Sequence, residues 1–212
     1  MASENTPSTL LKGIDAYYTE RVLRYGSSPQ GVDWNSEESQ MLRFNQILKV
    51  VTEDAFFSMN DLGCGYGKLY VVMKEKYRQF SYQGYDISAE MINMARSLHF
   101  SADCKFVHVD NPSILDQSDY TVSSGIFNVK LGASDQDWLA YIMTTLATMD
   151  HYSKKGFSFN LLTKYSDSEY MKDYLYYADP CLLFDHCKRT FSRNVALLHD
   201  YNLYEFTIIV RK

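Results

Sequence analysis

The chain lacks the features that would place it in a membrane or on nucleic acid. No apolar run approaches the roughly 20 residues that span a bilayer, and the N-terminus lacks the basic and apolar regions of a secretory signal. A net charge of −5, without a dense lysine and arginine cluster, disfavours a polyanionic substrate. We therefore expect a cytoplasmic protein that binds neither membranes nor nucleic acid.

Metal-binding spacing is also missing from the chain. The four cysteines lie far apart or in no zinc-like pairing, and a reducing compartment would keep them as thiols. We expect small buried side chains at these positions and no metal site.

Length and composition are those of one globular domain. The chain has 212 residues, of which 46% are hydrophobic and 22% charged. We expect residues 1–9 to be disordered and residues 10–212 to form a single domain. Tyrosine is unusually common, with 18 copies, several of which bunch within residues 15–25 and 164–177.

Hydrophobic periodicity predicts helices first and then an alternation of strands and helices. Residues 10–25 and 34–51 have helical spacing and form an expected helical cap over 10–52. The predicted strands are 55–62, 80–85, 105–109, 120–124, 156–162, 195–201 and 205–211. The helices expected between them are 68–78, 89–98, a turn near 114, 135–149 and 165–177.

This alternation predicts an α/β fold with a doubly wound, mostly parallel sheet of seven strands. About three residues separate the last two strands, too few for a crossover, so the last strand must run antiparallel. The longest connection, residues 164–194, precedes strand six and contains Tyr165, Tyr170, Tyr174, Tyr176 and Tyr177. A long ordered connection often forms a lid, and we expect one here.

The stretch "NDLGCGYGKLY" places three glycines at the carboxyl end of the first strand. Gly63, Gly65 and Gly67 follow Asp61 with the spacing G-x-G-x-G. Ligands of open parallel sheets bind at that edge, and glycine lets a ligand approach the backbone. The dinucleotide fingerprint is G-x-G-x-x-G, so the spacing argues against an NAD-dependent oxidoreductase.

The motif resembles that of class I S-adenosylmethionine-dependent methyltransferases, and small bacterial members in particular. "GYDIS" ends the second strand with Asp86, "FVHVD" resembles the third strand, and "YTVSSGIFNV" resembles the fourth. The resemblance covers nearly the whole chain and implies S-adenosylmethionine as cofactor and S-adenosylhomocysteine as product. The implied cofactor residues are Tyr18, Trp34, Arg43, Asp61, Gly63, Gly65, Gly67, Asp86, Ile87, Met91, Asp110, Asn111 and Ser124.

The roles within this set follow from chemistry. Asp86 can accept the ribose hydroxyls, and Asp61 can lie near the ammonium group. Arg43 can pair with the methionyl carboxylate. The alternative, a solvated arginine on an amphipathic helix, fits the sequence at least as well. Either Asp110 or Asn111 could bind the adenine amino group.

The acceptor is less clearly marked. His199, near the end of strand six, is the first choice as base or substrate ligand, with a structural role left open. The expected substrate residues are Tyr17, Phe127, Asn128, Tyr165 and His199. The loop after the fourth strand lacks the N/D-P-P-Y/F motif of the family's DNA and some protein amino-methyltransferases, which argues against amide, adenine or cytosine nitrogen as acceptor.

We therefore expect a metal-independent methyltransferase (EC 2.1.1 class) acting on an oxygen or nitrogen of a small-molecule metabolite by in-line displacement. Two alternatives remain: a protein or RNA methyltransferase, and a methyltransferase-fold protein that binds a partner without catalysis. The sequence does not indicate an oligomeric state.

Overall fold

Seven strands form one sheet in the computed structural model, which describes residues 7–34, 36–52, 55–111 and 113–212. The strands are β1 (Phe57–Leu62), β2 (Phe80–Asp86), β3 (Cys104–His108), β4 (Ser118–Ser123), β5 (Ser153–Leu162), β6 (Asn194–Leu198) and β7 (Glu205–Arg211). Their order is β3-β2-β1-β4-β5-β7-β6. β1 to β5 are parallel, and β7 runs antiparallel to both of its neighbours. The expected topology with a reversed last strand is confirmed.

Helices cover both faces of this sheet. They are α1 (Pro7–Tyr25), α2 (Glu37–Ile47), α3 (Lys68–Lys76), α4 (Ala89–Leu98), α5 (Asp135–His151) and α6 (Pro180–Thr190). The side chains of Ser36, Ser88, Ser134 and Asp179 accept backbone N–H groups at the starts of α2, α4, α5 and α6. α1 begins before the expected residue 10. Residues 1–6, where disorder is expected, lie outside the described residues.

Two hydrophobic clusters lie on opposite faces of the sheet. Trp138 of α5 packs with Phe157 and Phe159 of β5 on the face that α1, α5 and α6 cover. α2, α3 and α4 cover the other face, where Met59 and Tyr82 are buried. Strand side chains alternate between faces, so β5 sends phenylalanines one way and Ser158 the other, where its hydroxyl donates to the Ile47 carbonyl. The chain is therefore doubly wound, as expected.

The connection before β6 differs from the prediction. No helix covers 165–177, where the structure has a loop with one short turn at Ser168–Tyr170, and none forms near 114 in the described residues. The loop is instead bonded to the segment after β4: Tyr176 N donates to the Asn128 carbonyl, and Lys130 N to the Tyr174 carbonyl. The crossover helix is α6, which begins at Pro180. We call residues 164–178 the tyrosine loop.

None of the helices in the described ranges is long and apolar enough to cross a bilayer.

Candidate functional site

A cavity of about 530 Å³ opens where the carboxyl ends of β1, β2 and β4 meet. Its floor is the glycine turn after β1, and its walls come from α1, α2 and the tyrosine loop. The volume falls within the roughly 300–1,000 Å³ range of small-molecule sites.

The first two glycines of the turn line the cavity at positions whose backbone conformation and close neighbours disfavour a side chain. Gly63 has a φ of 81°, and a Cβ on it would lie 2.0 Å from Ile126 Cγ2. Gly65 has a φ of 53°, and its N–H donates to Asp86 Oδ2 at 2.8 Å. Both of these glycines, which the resemblance assigns to the cofactor, line the cavity.

Gly67 has a different role from the one expected. It caps α3 with a φ of 84°, and it does not line the cavity. A Cβ there would lie 2.8 Å from His99 Cδ2 and 2.9 Å from the Phe106 ring. The third glycine therefore permits close packing behind the turn, away from the cavity.

Asp86 ends β2 beside the glycine turn and lines the cavity. Its second oxygen, Oδ1, accepts the Ser88 N–H at 2.9 Å. Burial raises the pKa of this carboxyl, and hydrogen bonds from the backbone of Ser88, Gly65 and Ile87 oppose the rise. Ile87 and Met91 line the same end of the cavity, as expected, together with Val109.

The two residues that the sequence suggests for the adenine amino group lie outside the cavity. Asp110 and Asn111 are exposed and do not line the cavity. The Asn111 carbonyl oxygen Oδ1 accepts the Ser113 N–H, which turns the chain away after β3. Val109, the residue before them, lines the cavity wall instead.

Asp61 lies on β1 with an exposed fraction of 3% and lines the cavity. The Tyr82 hydroxyl donates to its Oδ2 at 2.6 Å. Burial raises the pKa of the Asp61 carboxyl to about 7, against the opposing effect of the Tyr82 bond.

A buried ion pair forms the wall opposite Asp86. Arg43 Nε and Nη2 donate to the two carboxylate oxygens of Glu205 at 2.7 and 2.8 Å. The guanidinium lies 4.0 Å from the ring centroid of Trp34. The amides of Asn128 and Asn160 also donate to Glu205, at 3.4 and 3.3 Å. The edge of Arg43 expected to bind a cofactor carboxylate is thus occupied by Glu205, which sequence reasoning missed.

Two polar atoms at this wall have no partner within the part of the chain that the structure describes. They are Arg43 Nη1 and Gln40 Oε1, both buried. Buried polar atoms are nearly always hydrogen-bonded, so unpartnered atoms at a cavity wall mark a place for a ligand.

The far end of the cavity is aromatic. Tyr170, Tyr174 and Tyr177 of the tyrosine loop line it together with Tyr204, which precedes β7. The rings of Tyr170 and Tyr204 are 6.1 Å apart. Lys172 lies among them, its ammonium 5.8 Å from the Tyr174 ring centroid. The bunching of tyrosines in this segment was the signal in the sequence for this wall.

Most of the expected substrate residues do not reach the cavity. Phe127 is fully buried in the core, and Tyr165 is 60% exposed beside His199. His199 follows β6, the outermost strand, with β7 and β5 between it and β4. Tyr17 donates its hydroxyl to Asp33, which itself lines the cavity.

Three of the remaining expected residues do line it. Asn128 accepts the Leu162 N–H through Oδ1, Ser124 receives a bond from the Asn160 amide, and Tyr18 faces in from α1. Among the described residues, no group of three or more His, Cys, Asp and Glu side chains is placed to hold a metal ion.

Comparisons with known proteins agree with this geometry. Residues 60–148 match a family model described as a methyltransferase domain. The chain is 49% identical over 165 residues to a protein of Mycobacterium tuberculosis (strain ATCC 25618 / H37Rv) named "Putative methyltransferase Rv1506c", an alignment that covers 78% of this chain and 99% of that protein.

Two solved structures share the fold. Magnesium protoporphyrin IX methyltransferase from Synechocystis PCC 6803, solved with bound S-adenosylmethionine, has a TM-score of 0.67 at 13% identity, with 100% of both chains covered. Human N-acetylserotonin methyltransferase in complex with S-adenosylmethionine has a TM-score of 0.68 at 16% identity, covering 100% of this chain and 60% of that one. At such identities the likeness is one of fold.

Proposed function

This chain belongs to the class I S-adenosylmethionine-dependent methyltransferases, and we propose that it transfers a methyl group to an oxygen or nitrogen of a small-molecule metabolite. The observation that carries the proposal is that one cavity runs continuously between two different kinds of wall. It joins the glycine turn and Asp86 at one end to an aromatic wall at the other. We take the reaction to be an in-line displacement without a metal, so that positioning of the two reactants supplies much of the rate.

The residues at the glycine end suit the cofactor. Asp86 keeps acceptor capacity on both oxygens beyond its two backbone bonds, which matches a pair of ribose hydroxyls. Ile87 and Met91 offer an apolar wall for a purine ring. The bare backbone at Gly63 and Gly65 leaves room for close approach. When bound, the cofactor supplies an electrophilic methyl group on a sulfonium.

Two roofs would close the site over the reactants. The N-terminal cap is fixed by a hydrogen bond at 2.7 Å between the hydroxyls of Thr19 in α1 and Ser88 before α4. The tyrosine loop is fixed by the backbone bonds to the segment after β4. We assign residues 10–52 to the cofactor roof and the tyrosine loop, the first half of the 164–194 insert, to the acceptor lid. Closing both excludes water from the transferring methyl group.

The tyrosine wall supports a small acceptor over a macromolecule. Tyr174 and Tyr177 are half-buried in the cavity wall, and Tyr170 and Tyr204 are exposed at its rim. Their rings offer flat apolar surfaces with polar tips, a lining typical of small-molecule sites. Their ring faces can stack on a planar body.

Calorimetric titration with S-adenosylmethionine and S-adenosylhomocysteine tests the cofactor. A panel of hydroxylated and amino-group metabolites, followed by release of S-adenosylhomocysteine with and without EDTA, then tests the acceptor class and metal independence. We expect micromolar binding, turnover of a small molecule, and no effect of EDTA. A folded protein that binds neither compound would favour the non-catalytic alternative, and turnover on protein or RNA alone would overturn the acceptor class.

A further inference from the structure

The tyrosine loop brings one of its charged side chains to the cavity. The loop, which lies wholly within the described residues, carries Lys164, Asp167, Glu169, Lys172 and Asp173. Of these five, Lys172 alone lines the cavity. Lys164 pairs with Asp179 at 2.7 Å, and Asp167 accepts the Tyr204 hydroxyl. A ligand that enters past this loop therefore meets a cation and no carboxylate of the loop.

The ammonium of Lys172 has no opposite charge beside it, unlike the other cations that line the cavity. The remaining charged pairs at the cavity wall are Asp33 with Arg21, Arg43 with Glu205 and Lys68 with Glu37, each at 2.7 Å. Within the part of the chain that the structure describes, Lys172 makes no ion pair, and its ammonium lies 5.8 Å from the ring centroid of Tyr174. The aromatic end of the cavity thus carries one uncompensated positive charge, which an anionic group on a ligand would complement.

Backbone hydrogen bonds fix the place of this lysine. Its N–H donates to the Tyr177 hydroxyl at 3.0 Å, and its carbonyl accepts the Leu175 N–H at 3.0 Å. The Tyr174 carbonyl accepts the Lys130 N–H at 2.9 Å, which joins the same turn to the segment after β4. The stem of the lysine therefore starts from a defined point beside the tyrosine rings, and its four carbons let the ammonium adjust to a ligand.

The surrounding rings define the shape that such an anion must accompany. Tyr174 and Tyr177 are half-buried in the wall, whereas Tyr170 and Tyr204 are exposed at the rim with Lys172. Flat ring faces suit a planar aromatic body. An anion at the rim keeps contact with water, so its desolvation costs less than it would deep in the cavity.

Charge balance favours a carboxylate over a phosphate. One lysine supplies one positive charge, which a carboxylate neutralises. A phosphate monoester carries a charge of about −1.5 to −2 at pH 7 and would leave the excess unpaired.

We propose that the methyl acceptor is an aromatic carboxylic acid, whose ring stacks on the tyrosine wall and whose carboxylate binds Lys172 at the rim. The hydroxyl or amino group that receives the methyl group then lies on the opposite side of the ring, toward the glycine turn. The assignment rests on the proposed function, since it names the acceptor class of the same cavity. Lys172 determines specificity in this arrangement and takes no part in the transfer itself.

Paired probes isolate the contribution of the charge. Hydroxybenzoates, aminobenzoates and 4-hydroxycinnamate are each compared with the corresponding carboxamide, which keeps the ring and loses the charge. Each compound is titrated calorimetrically into protein saturated with S-adenosylhomocysteine, whose own affinity is measured first. The proteins are the wild type, Lys172→Met and the control Lys164→Met, which removes an exposed lysine of the same loop that does not line the cavity.

We expect the wild type to bind at least one acid roughly fivefold more tightly than its carboxamide, a modest ratio because exposed ion pairs contribute little. The ratio should shrink as salt is raised from about 50 to about 500 mM, because salt screens exposed charges. Lys172→Met should abolish the preference and leave the affinity for the carboxamide and for S-adenosylhomocysteine unchanged. Lys164→Met should keep the preference. In turnover, Lys172→Met should raise KM for the acid more than it lowers kcat, because the contact is made equally before and during transfer.

Three results would overturn the assignment while leaving S-adenosylhomocysteine binding intact. They are equal binding of acids and carboxamides by the wild type, a preference for acids that survives in Lys172→Met, and no binding of any acid. An equal loss of preference in Lys164→Met would also overturn it, because the effect would then come from the charge of the whole loop. A folded wild type that does not bind S-adenosylhomocysteine would overturn the proposed function, and the assignment with it.

Discussion

The two ends of the cavity are built from contacts of very different range along the chain. At the glycine end, Gly65 bonds to Asp86 across 21 residues, and Tyr82 bonds to Asp61 across the same number. At the opposite wall, Arg43 bonds to Glu205 across 162 residues. One end is thus the product of a single βαβ unit, while the other depends on the N-terminal cap and the last strand coming together.

This difference predicts which substitutions act on ligands and which act on the fold. A change at the glycine end should affect cofactor affinity first, because its carboxylates and turns are supported by local backbone. A change at the Arg43–Glu205 wall should affect stability first, because the pair is buried and joins distant elements.

The largest expected effect is on stability, in Glu205→Ala. Removing this carboxylate leaves the Arg43 guanidinium buried without its ion pair, and it also deprives the amides of Asn128 and Asn160 of an acceptor. The free energy of unfolding should fall by about 3–5 kcal/mol, the usual loss when one partner of a buried pair is removed. Urea denaturation followed by circular dichroism measures it.

The double variant Arg43→Met with Glu205→Ala is the matched control for that loss. It removes both charges, so the part of the loss that comes from the unpaired guanidinium should return, while the part that comes from the Asn128 and Asn160 amides should remain. If the double variant is no more stable than Glu205→Ala, the ion pair is not the source of the effect.

The next largest effect is on affinity, in Asp86→Ala. Loss of two hydrogen bonds to a charged carboxylate should weaken S-adenosylhomocysteine by on the order of a hundredfold or more, with the fold retained. Calorimetric titration measures the affinity. Asp110→Ala is the control, since this exposed acid ends the neighbouring strand but lies outside the cavity. If both variants lost the same affinity for S-adenosylhomocysteine, the specific role of Asp86 would be contradicted, and Asp110 would be a contact of the cofactor after all.

The same difference in range explains what could be read from the sequence. The parallel sheet with its reversed last strand follows from local periodicity and loop length, and the positions of the glycine turn and Asp86 follow from short motifs at strand ends, so the sequence predicts them. His199 lies outside the cavity for a topological reason. It does follow a strand at the correct edge, but the antiparallel pairing places β6 outermost, away from the cavity.

Long-range partners and irregular loops were beyond the sequence pattern. Nothing in the local sequence pairs Arg43 with Glu205, which is 162 residues away. The tyrosine loop is not a helix, so no period tells which of its tyrosines point inward, and Tyr165 was chosen where Tyr170, Tyr174 and Tyr177 line the cavity.

A third prediction concerns pH and Asp61. Burial raises the pKa of this carboxyl to about 7, whereas the unfolded chain releases the proton near 3.8. Between these values the folded state binds more protons, so this group lowers the free energy of unfolding as pH rises, by at most about 1.4 kcal/mol per pH unit. Asp61→Asn lacks this effect and can still accept the Tyr82 hydroxyl.

The stability advantage of Asp61→Asn over the wild type should therefore grow from about pH 5 to about pH 7 and level off above that. Urea unfolding of both proteins across this range measures it. A constant difference at all pH values would mean that Asp61 ionises normally in the folded state.

The smallest expected effect separates the third glycine from the first two. Alanine at Gly67 must adopt a φ of 84° and approach His99 and Phe106 closely, so Gly67→Ala should lower the free energy of unfolding by about 1–2 kcal/mol. Its affinity for S-adenosylhomocysteine should not change, because residue 67 lies outside the cavity. Gly65→Ala, at the cavity, should weaken binding. Both variants are titrated with S-adenosylhomocysteine below their melting temperatures. An affinity loss in Gly67→Ala would mean that the third glycine also takes part in cofactor binding.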